Sequence, residues 1–411
     1  MKKQYNKTKE IYNDNLFFDN SSSGENSNVS SFSLEGYIRS AAQRMIQAAL
    51  EMEVEEFLQR AKYDKTDASD FRGYRNGHHK ERTVSTAVGG LEVRVPRVAD
   101  NAEPFRSHLV KPYKRRSEGL DTLFPQLFIE GLATRDFEPS LRFLVGEKAP
   151  LSPSSISRLN KEFRTDYENW QKTDLSKLKI YYIYADGVYL SAGIAEEKAC
   201  LLVIIGVDEL GEKHILGLQQ GFRESKESWK ELLMDLKNRG MNEPALAMAD
   251  GGLGFWAALP EVWNQTKEQL CWLHKTRNIL DKLPKAERKE AVERLRAIYL
   301  AENKEDAEKL ARKLIVDWNK AGYERAADCL RNALDKLLTF FEFPTEHAKH
   351  LRTTNPIESV FATVRLRTKA AKRFRTARSG LHLVFKLLER AKKGWRIIGH
   401  PEKLKEVKLP S

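Results

Sequence analysis

Three cysteines (Cys200, Cys271, Cys329) in 411 residues are too few and too scattered to frame a disulfide-stapled fold, so a reducing compartment is expected. Long apolar runs are missing as well: no stretch approaches the ~20 residues that span a bilayer, and no membrane partner is expected. The N-terminus, MKKQYNKTKE, carries lysines with no apolar segment behind them, so no signal peptide is expected. Positive charge, by contrast, is plentiful. Lys plus Arg number 70 against 58 Asp plus Glu, a net charge of +12 with a pI near 9.3. That excess points to a polyanionic partner, most often nucleic acid. An apolar content of 41% allows a large core and two to four structural units.

The excess has an address. Between Leu351 and His400 stand 13 Lys and Arg and only two acids, Glu358 and Glu389. Within this stretch Asn355, Pro356 and Glu358 introduce a helical pattern, with Asn355 and Thr354 shaping the turn and Asn355 the natural cap. A lone acid at the head of a basic helix is usually a satisfied N-terminal charge. It could instead hold a metal beside a phosphate backbone, if matching carboxylates occur upstream.

Residues 1–32 are Asn-, Ser- and Lys-rich without apolar period and read as a disordered tail. Residues 33–105 read as a module: a long helix with Leu34, Ile38, Ala41, Met45, Ala49, Leu50 and Phe57 at helical spacing, then a basic stretch with His78 and His79. A hairpin around Gly89-Gly90, closed by Pro96, completes it. Residues 106–172 form a basic linker and a helix through Leu120, Leu123, Phe124, Leu127 and Phe128. A helix–turn–helix rhythm follows: Thr134 to Gly146, then a second helix with Ser152 as N-cap and Pro153 as first residue. Such a second helix suits the major groove, and equally an ordinary helical hairpin; the basic composition favours DNA. Over 176–275 the order is strand–strand–strand–helix–strand–helix–strand, a mixed α/β layer. Residues 276–345 read as an all-helical insertion, 346–400 as the return of the layer with the Glu358 helix, and 401–411 as a tail.

Asp186 lies inside an apolar strand between YIYA and GVYL, which is costly unless the acid is paired or ligates a metal. Asp250 ends the fourth strand and precedes Gly251-Gly252, a usual position for a functional residue and also for a helix cap. With Glu358 these make three carboxylates able to converge at one sheet edge. Oxygen ligands suit Mg²⁺. Two such ions can activate an attacking oxygen and stabilise a leaving one in phosphoryl transfer.

ADGVYL, MADGG, CWLHKTRN and RTTNPIE, in this order, resemble the Mutator-type transposases of bacterial insertion sequences. YRNGHHKERT, VRVPR, LVKPYKRR, GLATRD and LSPSSISRL are similar to the same family's N-terminal half, so the resemblance covers roughly residues 40–400. It implies an α/β fold: an RNase H-like catalytic core with an all-helical insertion, plus mainly helical N-terminal DNA-binding modules. It also implies a catalytic and metal-binding DDE triad, Asp186, Asp250 and Glu358, working with Mg²⁺ (Mn²⁺ substituting). The implied activity is that of a DNA transposase in the bacterial cytoplasm, on the nucleoid. It binds terminal inverted repeats, cuts them with water and joins the freed 3′-hydroxyl to target DNA, as a homo-oligomer of at least two protomers. A nuclease on the same core, or a silent DNA-binding repressor, are the alternative readings.

Cys271 and His274 form a C-x-x-H pair that is half a zinc site, with no second pair nearby. Hydrogen-bonding or DNA-positioning support of the active site, together with Thr354 and Asn355, is the favoured reading. His347 and His350 are expected in solvent or on phosphate rather than on zinc. Trp256, Trp272 and Trp318 are expected in the core. Phosphate contacts are expected from Arg72, Arg75, Lys80, Arg115, Arg116, Arg158, Lys275, Arg277, Arg352, Arg365, Arg367, Lys369, Lys372, Arg373 and Arg375.

Overall fold

The computed structural model describes residues 33–64, 71–101, 103–129, 153–191, 198–370 and 376–410. The residues 1–32, the expected helix from Thr134 to Gly146, and Lys372, Arg373 and Arg375 lie outside them, as do the side chains of Arg158 and Lys369. The described residues fall into two compact units that divide after Ser117.

In the first unit, α1 (Leu34–Leu58) starts where Ser33 accepts from the Gly36 N–H at 3.0 Å. Its later turns bury Leu50, Val54 and Leu58, and Leu50 packs with Leu91, Val93 and Val110. Four short strands follow, β1 (Tyr74–His78), β2 (Arg82–Thr86), β3 (Gly89–Val93) and β4 (Pro96–Ala99). β2 and β3 pair as the expected hairpin, with Gly89 at φ +115° in its turn. Pro96 does not close that hairpin. It opens β4, which runs back antiparallel to β1, and a proline is tolerated at the start of an edge strand.

The second unit begins with α2 (Glu118–Ile129) and α3 (Pro153–Gln171). Pro153 is indeed the first helical residue, yet α3 is anchored to the sheet-bearing core: Phe163 and Tyr167 are buried, and the Tyr167 hydroxyl donates to the Leu218 carbonyl at 2.7 Å. The sheet has the order β7-β6-β5-β8-β9, with β5 (Ile180–Ser191) central, then β6 (Lys198–Asp208), β7 (Lys213–Gly221), β8 (Leu246–Ala249) and β9 (Lys267–Leu270). β5, β6 and β7 form the antiparallel meander that the Ile, Val and Tyr runs predict, while β8 and β9 run parallel to β5.

Being apolar on both faces, β5 can be covered on both. Ile183 and Ala185 face α4 (Lys226–Asn238) and α5 (Leu253–Val262), through Trp229, Leu232, Leu233 and Phe255. Tyr182 and Tyr184 face the other cluster, which holds Ile357, Phe361, Val364 and Phe385. These come from α12 (Asn355–Ala370) and α13 (Ala377–Lys392). Between α6 (Trp272–Leu280) and α12 lies the helical insertion: α7 (Arg288–Tyr299), α8 (Lys304–Lys320), α9 (Glu324–Arg331) and the short α10 (Leu334–Leu337), then α11 (Ala348–Leu351). Trp272 and Trp318 are buried in the same cluster, as expected, and Trp256 packs against it partly buried.

The insertion returns the chain to the sheet. Trp272 N–H donates to the Arg352 carbonyl at 2.9 Å, and Trp272 Nε1 to that of Leu337 at 2.8 Å. His347 and His350 are not on the surface as expected. His347 is fully buried between the Tyr182 hydroxyl (2.9 Å) and the His400 carbonyl (3.0 Å), and His350 Nε2 accepts from Gly399 N–H at 3.1 Å. Buried imidazoles need such partners, and these tie the last residues to the sheet. Residues Pro401–Glu406 accordingly form a 3-10 turn with Leu404 buried.

Candidate active site

β5, β7, β8 and β9 all point the same way, so residues just beyond the ends of β7, β8 and β9 collect at one edge. Asp186 joins them there from within β5, paired to Val203 of β6. Tyr184 pairs with Met248 of β8, and two more residues in this parallel register set Asp186 beside Asp250, one strand spacing of about 4.8 Å away. By alternation both acids share the face of Tyr184 and Met248, the face that α12 covers.

Neither aspartate stands in open water. Asp186 Oδ1 accepts from the Gly187 N–H at 2.7 Å, and Asp250 Oδ1 from Gly252 N–H at 2.8 Å. Burial pushes the Asp186 carboxyl up to about 7; the Gly187 hydrogen bond opposes this, and the charge of Asp250 adds to it.

A fourth carboxylate, absent from the sequence reading, joins this edge. Glu224 lies three residues past β7, and burial followed by the charge of Asp250 raises its carboxyl. A methyl group on Gly252 would lie 2.9 Å from Asp250 Oδ1 and 3.4 Å from Glu224 Oε2, so two carboxylates close round one small space. Among the described residues, no Lys or Arg forms an ion pair with Asp186, Asp250 or Glu224. The usable signal was topological: β7 runs parallel to β5, so its end falls on the Asp186 edge.

Glu358 arrives on the first turn of α12. The cap there is Thr354, whose carbonyl accepts from Ile357 N–H at 2.9 Å and Glu358 N–H at 3.0 Å. Asn355 is the first helical residue, exposed, and not the cap. Thr354 is fully buried and its hydroxyl lies 2.7 Å from Glu358 Oε1 and 3.3 Å from Cys271 Sγ, to which its N–H also donates at 3.3 Å. Cys271 heads α6 directly after β9, and its N–H donates to the Ala249 carbonyl at 2.9 Å, next to Asp250.

His274 stands one turn on, its buried Nδ1 without a hydrogen-bond partner and 3.6 Å from Glu358 Oε1. Cys271 raises the imidazole to about 9 against the effect of burial, and the Glu358 and Asp250 charges add to the rise. Burial acts to raise the Cys271 thiol, but His274 and Thr354 outweigh it and the net direction is down. Cys271, His274 and Glu358 have ligand atoms all within 4.8 Å of one another; Asp186 and Asp250 are not in that group. Glu358 thus reaches the sheet edge on the His274 side.

The donor set decides what ion fits. Carboxylate oxygens around the Gly252 space, with no Lys or Arg ion-paired to them among the described residues, suit a hard divalent cation such as Mg²⁺ or Mn²⁺. The Cys271 sulfur already accepts from Thr354, which supports a positioning role for it.

Several of the expected phosphate contacts are engaged within the protein. Arg352 Nη1 donates to the Tyr299 carbonyl at 2.8 Å, and its guanidinium lies 5.3 Å from the Tyr299 ring centre and 5.9 Å from that of Phe340. Arg75 pairs with Glu51 (3.2 Å) and Glu55 (3.4 Å), joining β1 to α1. Both therefore hold the fold, a role their charge alone could not reveal. Lys275 and Arg367 are half-buried, Lys275 Nζ lying 4.0 Å from Cys329 Sγ, and Arg116 is likewise half-buried. Arg72, Lys80, Arg115, Arg277 and Arg365 are exposed.

The family model described as "Transposase, Mutator family" matches residues 17–397. The chain belongs to the Mutator family of transposases. The transposase for insertion sequence element IS6120 of Mycolicibacterium smegmatis is 42% identical over 282 residues, 69% of this chain and 87% of that protein. The transposase for IST2 of Acidithiobacillus ferrooxidans is 42% identical over 269 residues, 65% and 90% of the two chains. The transposase for ISRM5 of Rhizobium meliloti is 31% identical over 361 residues, 87% of this chain and 88% of that one. A solved structure, the HTLV-2 integrase catalytic core domain in complex with magnesium, aligns with 31% of this chain and 90% of its own at 16% identity, but its TM-score of 0.18 carries no argument. No helix among the described residues is long and apolar enough to cross a membrane.

Proposed function

We propose that this member of the Mutator family cuts and joins DNA at the ends of an insertion sequence, with Asp186, Asp250 and Glu358 as its catalytic acids on an RNase H-like core. The observation that carries this is the pair Asp186 and Asp250, side by side across the parallel β5–β8 register and without a Lys or Arg ion pair among the described residues, at the sheet edge where the Glu358 helix docks. Divalent ions, Mg²⁺ or Mn²⁺, bound by these carboxylates would supply activation of the attacking oxygen and stabilisation of the leaving one. The chain's own residues do the positioning. The β5–β6 ladder fixes Asp186, Gly252 N–H orients Asp250, and the Thr354 hydroxyl, placed between Cys271 and Glu358, sets the third acid. The His274 imidazolium offers a positive charge beside Glu358, suited to a phosphate oxygen of the strand being cut.

Exposed Arg277 and Arg365 flank this edge in sequence and serve as phosphate contacts; Arg72, Lys80 and Arg115 of the first unit serve in binding the inverted repeats. One active site per element end requires at least two protomers to hold both ends. Purified protein should join an oligonucleotide carrying an element end to target DNA in Mg²⁺, and Asp186→Asn and Asp250→Asn should abolish joining while leaving circular dichroism and DNA binding intact. Joining that survives Asp186→Asn overturns the assignment. Cleavage without joining would favour the nuclease reading.

A further inference from the structure

Glu224 has no assigned role, yet its surroundings are shaped around its carboxylate. A methyl group on Gly187 would lie 2.5 Å from Glu224 Oε1, and one on Gly252 would lie 3.4 Å from Oε2. A methyl on Gly254 would overlap the Glu224 carbonyl oxygen. Gly187 follows Asp186 directly and Gly252 sits in the turn after Asp250, so the room for the Glu224 carboxylate is left by the two segments carrying the aspartates, while Gly254 in the first turn of α5 makes room for its backbone. Its own approach is strained. Arg223, just before it, has φ +56°, a left-handed conformation costing a non-glycine residue about 1 kcal/mol or more. That turn ends β7 and aims Glu224 at the sheet edge while Ser225 caps α4, its hydroxyl accepting from Ser228 N–H at 3.2 Å. The Glu224 carboxylate is hydrogen-bonded by the Tyr189 hydroxyl, a neutral partner that orients it without supplying a counter-charge.

We propose that Glu224 is a fourth carboxylate of the divalent-cation site, ligating the same ion as Asp186 and Asp250. This rests on the reading of that edge as a cation site. The ion would sit in the space bounded by Gly187 and Gly252, and Glu224 would approach from the α4–α5 side of the sheet while Glu358 approaches from the other. Four acids then surround the edge from both faces, and the ion would supply the counter-charge that they need beyond the single His274 imidazolium.

The test reads cation binding apart from activity. Full-length protein is titrated with Mn²⁺ and, separately, with Ca²⁺ by calorimetry, without DNA, and melting is followed in EDTA. Glu224→Gln keeps the shape and should weaken Mn²⁺ binding at least tenfold, with a melting temperature in EDTA at or above that of the wild type. Glu224→Asp should bind Mn²⁺ with an intermediate affinity. Asp186→Asn should weaken it at least as much as Glu224→Gln. If Glu224→Gln binds Mn²⁺ within twofold of the wild type while Asp186→Asn does not, Glu224 is structural and this proposal fails alone. If neither substitution alters Mn²⁺ binding, the cation-site reading itself fails.

Discussion

Removing divalent cations and raising the pH toward 8 takes from the sheet edge any bound ion and the Asp186 proton, leaving the His274 imidazolium as its positive charge. Asp186 reports this most directly. Burial, reinforced by Asp250 and Glu224 against the Gly187 hydrogen bond and the His274 charge, places its carboxyl at about 7, from 3.8 for the ordinary group. The folded value lies above the unfolded one, so the stability this group contributes is fully present below pH 3.8 and is lost as pH rises to about 7. A shift of about three units at 1.36 kcal/mol each sets a ceiling near ~4 kcal/mol, and sharing of protons with neighbouring carboxylates lowers the expectation to about 2 kcal/mol. Asp186→Asn removes the titration and keeps the shape. In EDTA the variant should gain on the wild type steadily between pH 4 and pH 7, then hold a lead of about 2 kcal/mol, or roughly 5 °C in Tm. Thermal unfolding at half-unit pH steps measures it. Added Mn²⁺ should reverse the order at pH 8, since only the wild type keeps the full ligand set; at a hundred times Kd the gain is about 2.7 kcal/mol. A gap that stays constant from pH 4 to pH 8, or a variant less stable throughout, would refute the reasoning.

Thr354→Val should cost about 1 kcal/mol of stability and lower joining more than tenfold, with Thr354→Ser restoring both; urea unfolding and the joining assay separate the effects. Arg352→Met should lower stability by about 2 kcal/mol by leaving the Tyr299 carbonyl unpaired, with little change in DNA affinity below its Tm. Arg365→Ala should do the reverse, leaving Tm unchanged and reducing the slope of log affinity against log salt by about 1. His274 keeps its proton to about 9, so its charge is present below the ordinary 6.5 and is lost as pH passes 9. Joining should therefore decline above pH 9 in the wild type, and His274→Ala should lack that limb of the pH profile.

Much of the core was legible because β-strands and apolar runs report each other. Tyr181, Tyr182, Ile183 and Tyr184 before Asp186 could be buried on both faces only in a central strand, and an acid placed there had either to be paired or to ligate a metal. The insertion was equally plain from its helical period. Glu224 escaped because RESKES reads as any charged start of a helix; its significance comes from the direction of β7, which no local pattern contains. Arg75 and Arg352 were misjudged for the opposite reason. Each is an arginine in a basic stretch, and only tertiary partners, Glu51 and Glu55 or the Tyr299 carbonyl, distinguish a structural guanidinium from one left for DNA. Asn355 and Thr354 are both fair caps by type, and the Cys271 sulfur within reach of Thr354 decides between them.

The candidate acids differ in how firmly they are held. Asp186 is fixed by a backbone ladder to β6 and lies in the central strand of the sheet, so its amide should exchange with solvent only when the whole unit opens. Glu358 reaches the same edge through a helix tethered at Thr354, Cys271 and Arg352, and its amide should exchange through smaller local openings. Because α12 buries Ile357, Phe361 and Val364 against the face of β5 that backs Asp186, displacing the helix would expose the core behind the strand, and the two halves of the edge are mechanically linked.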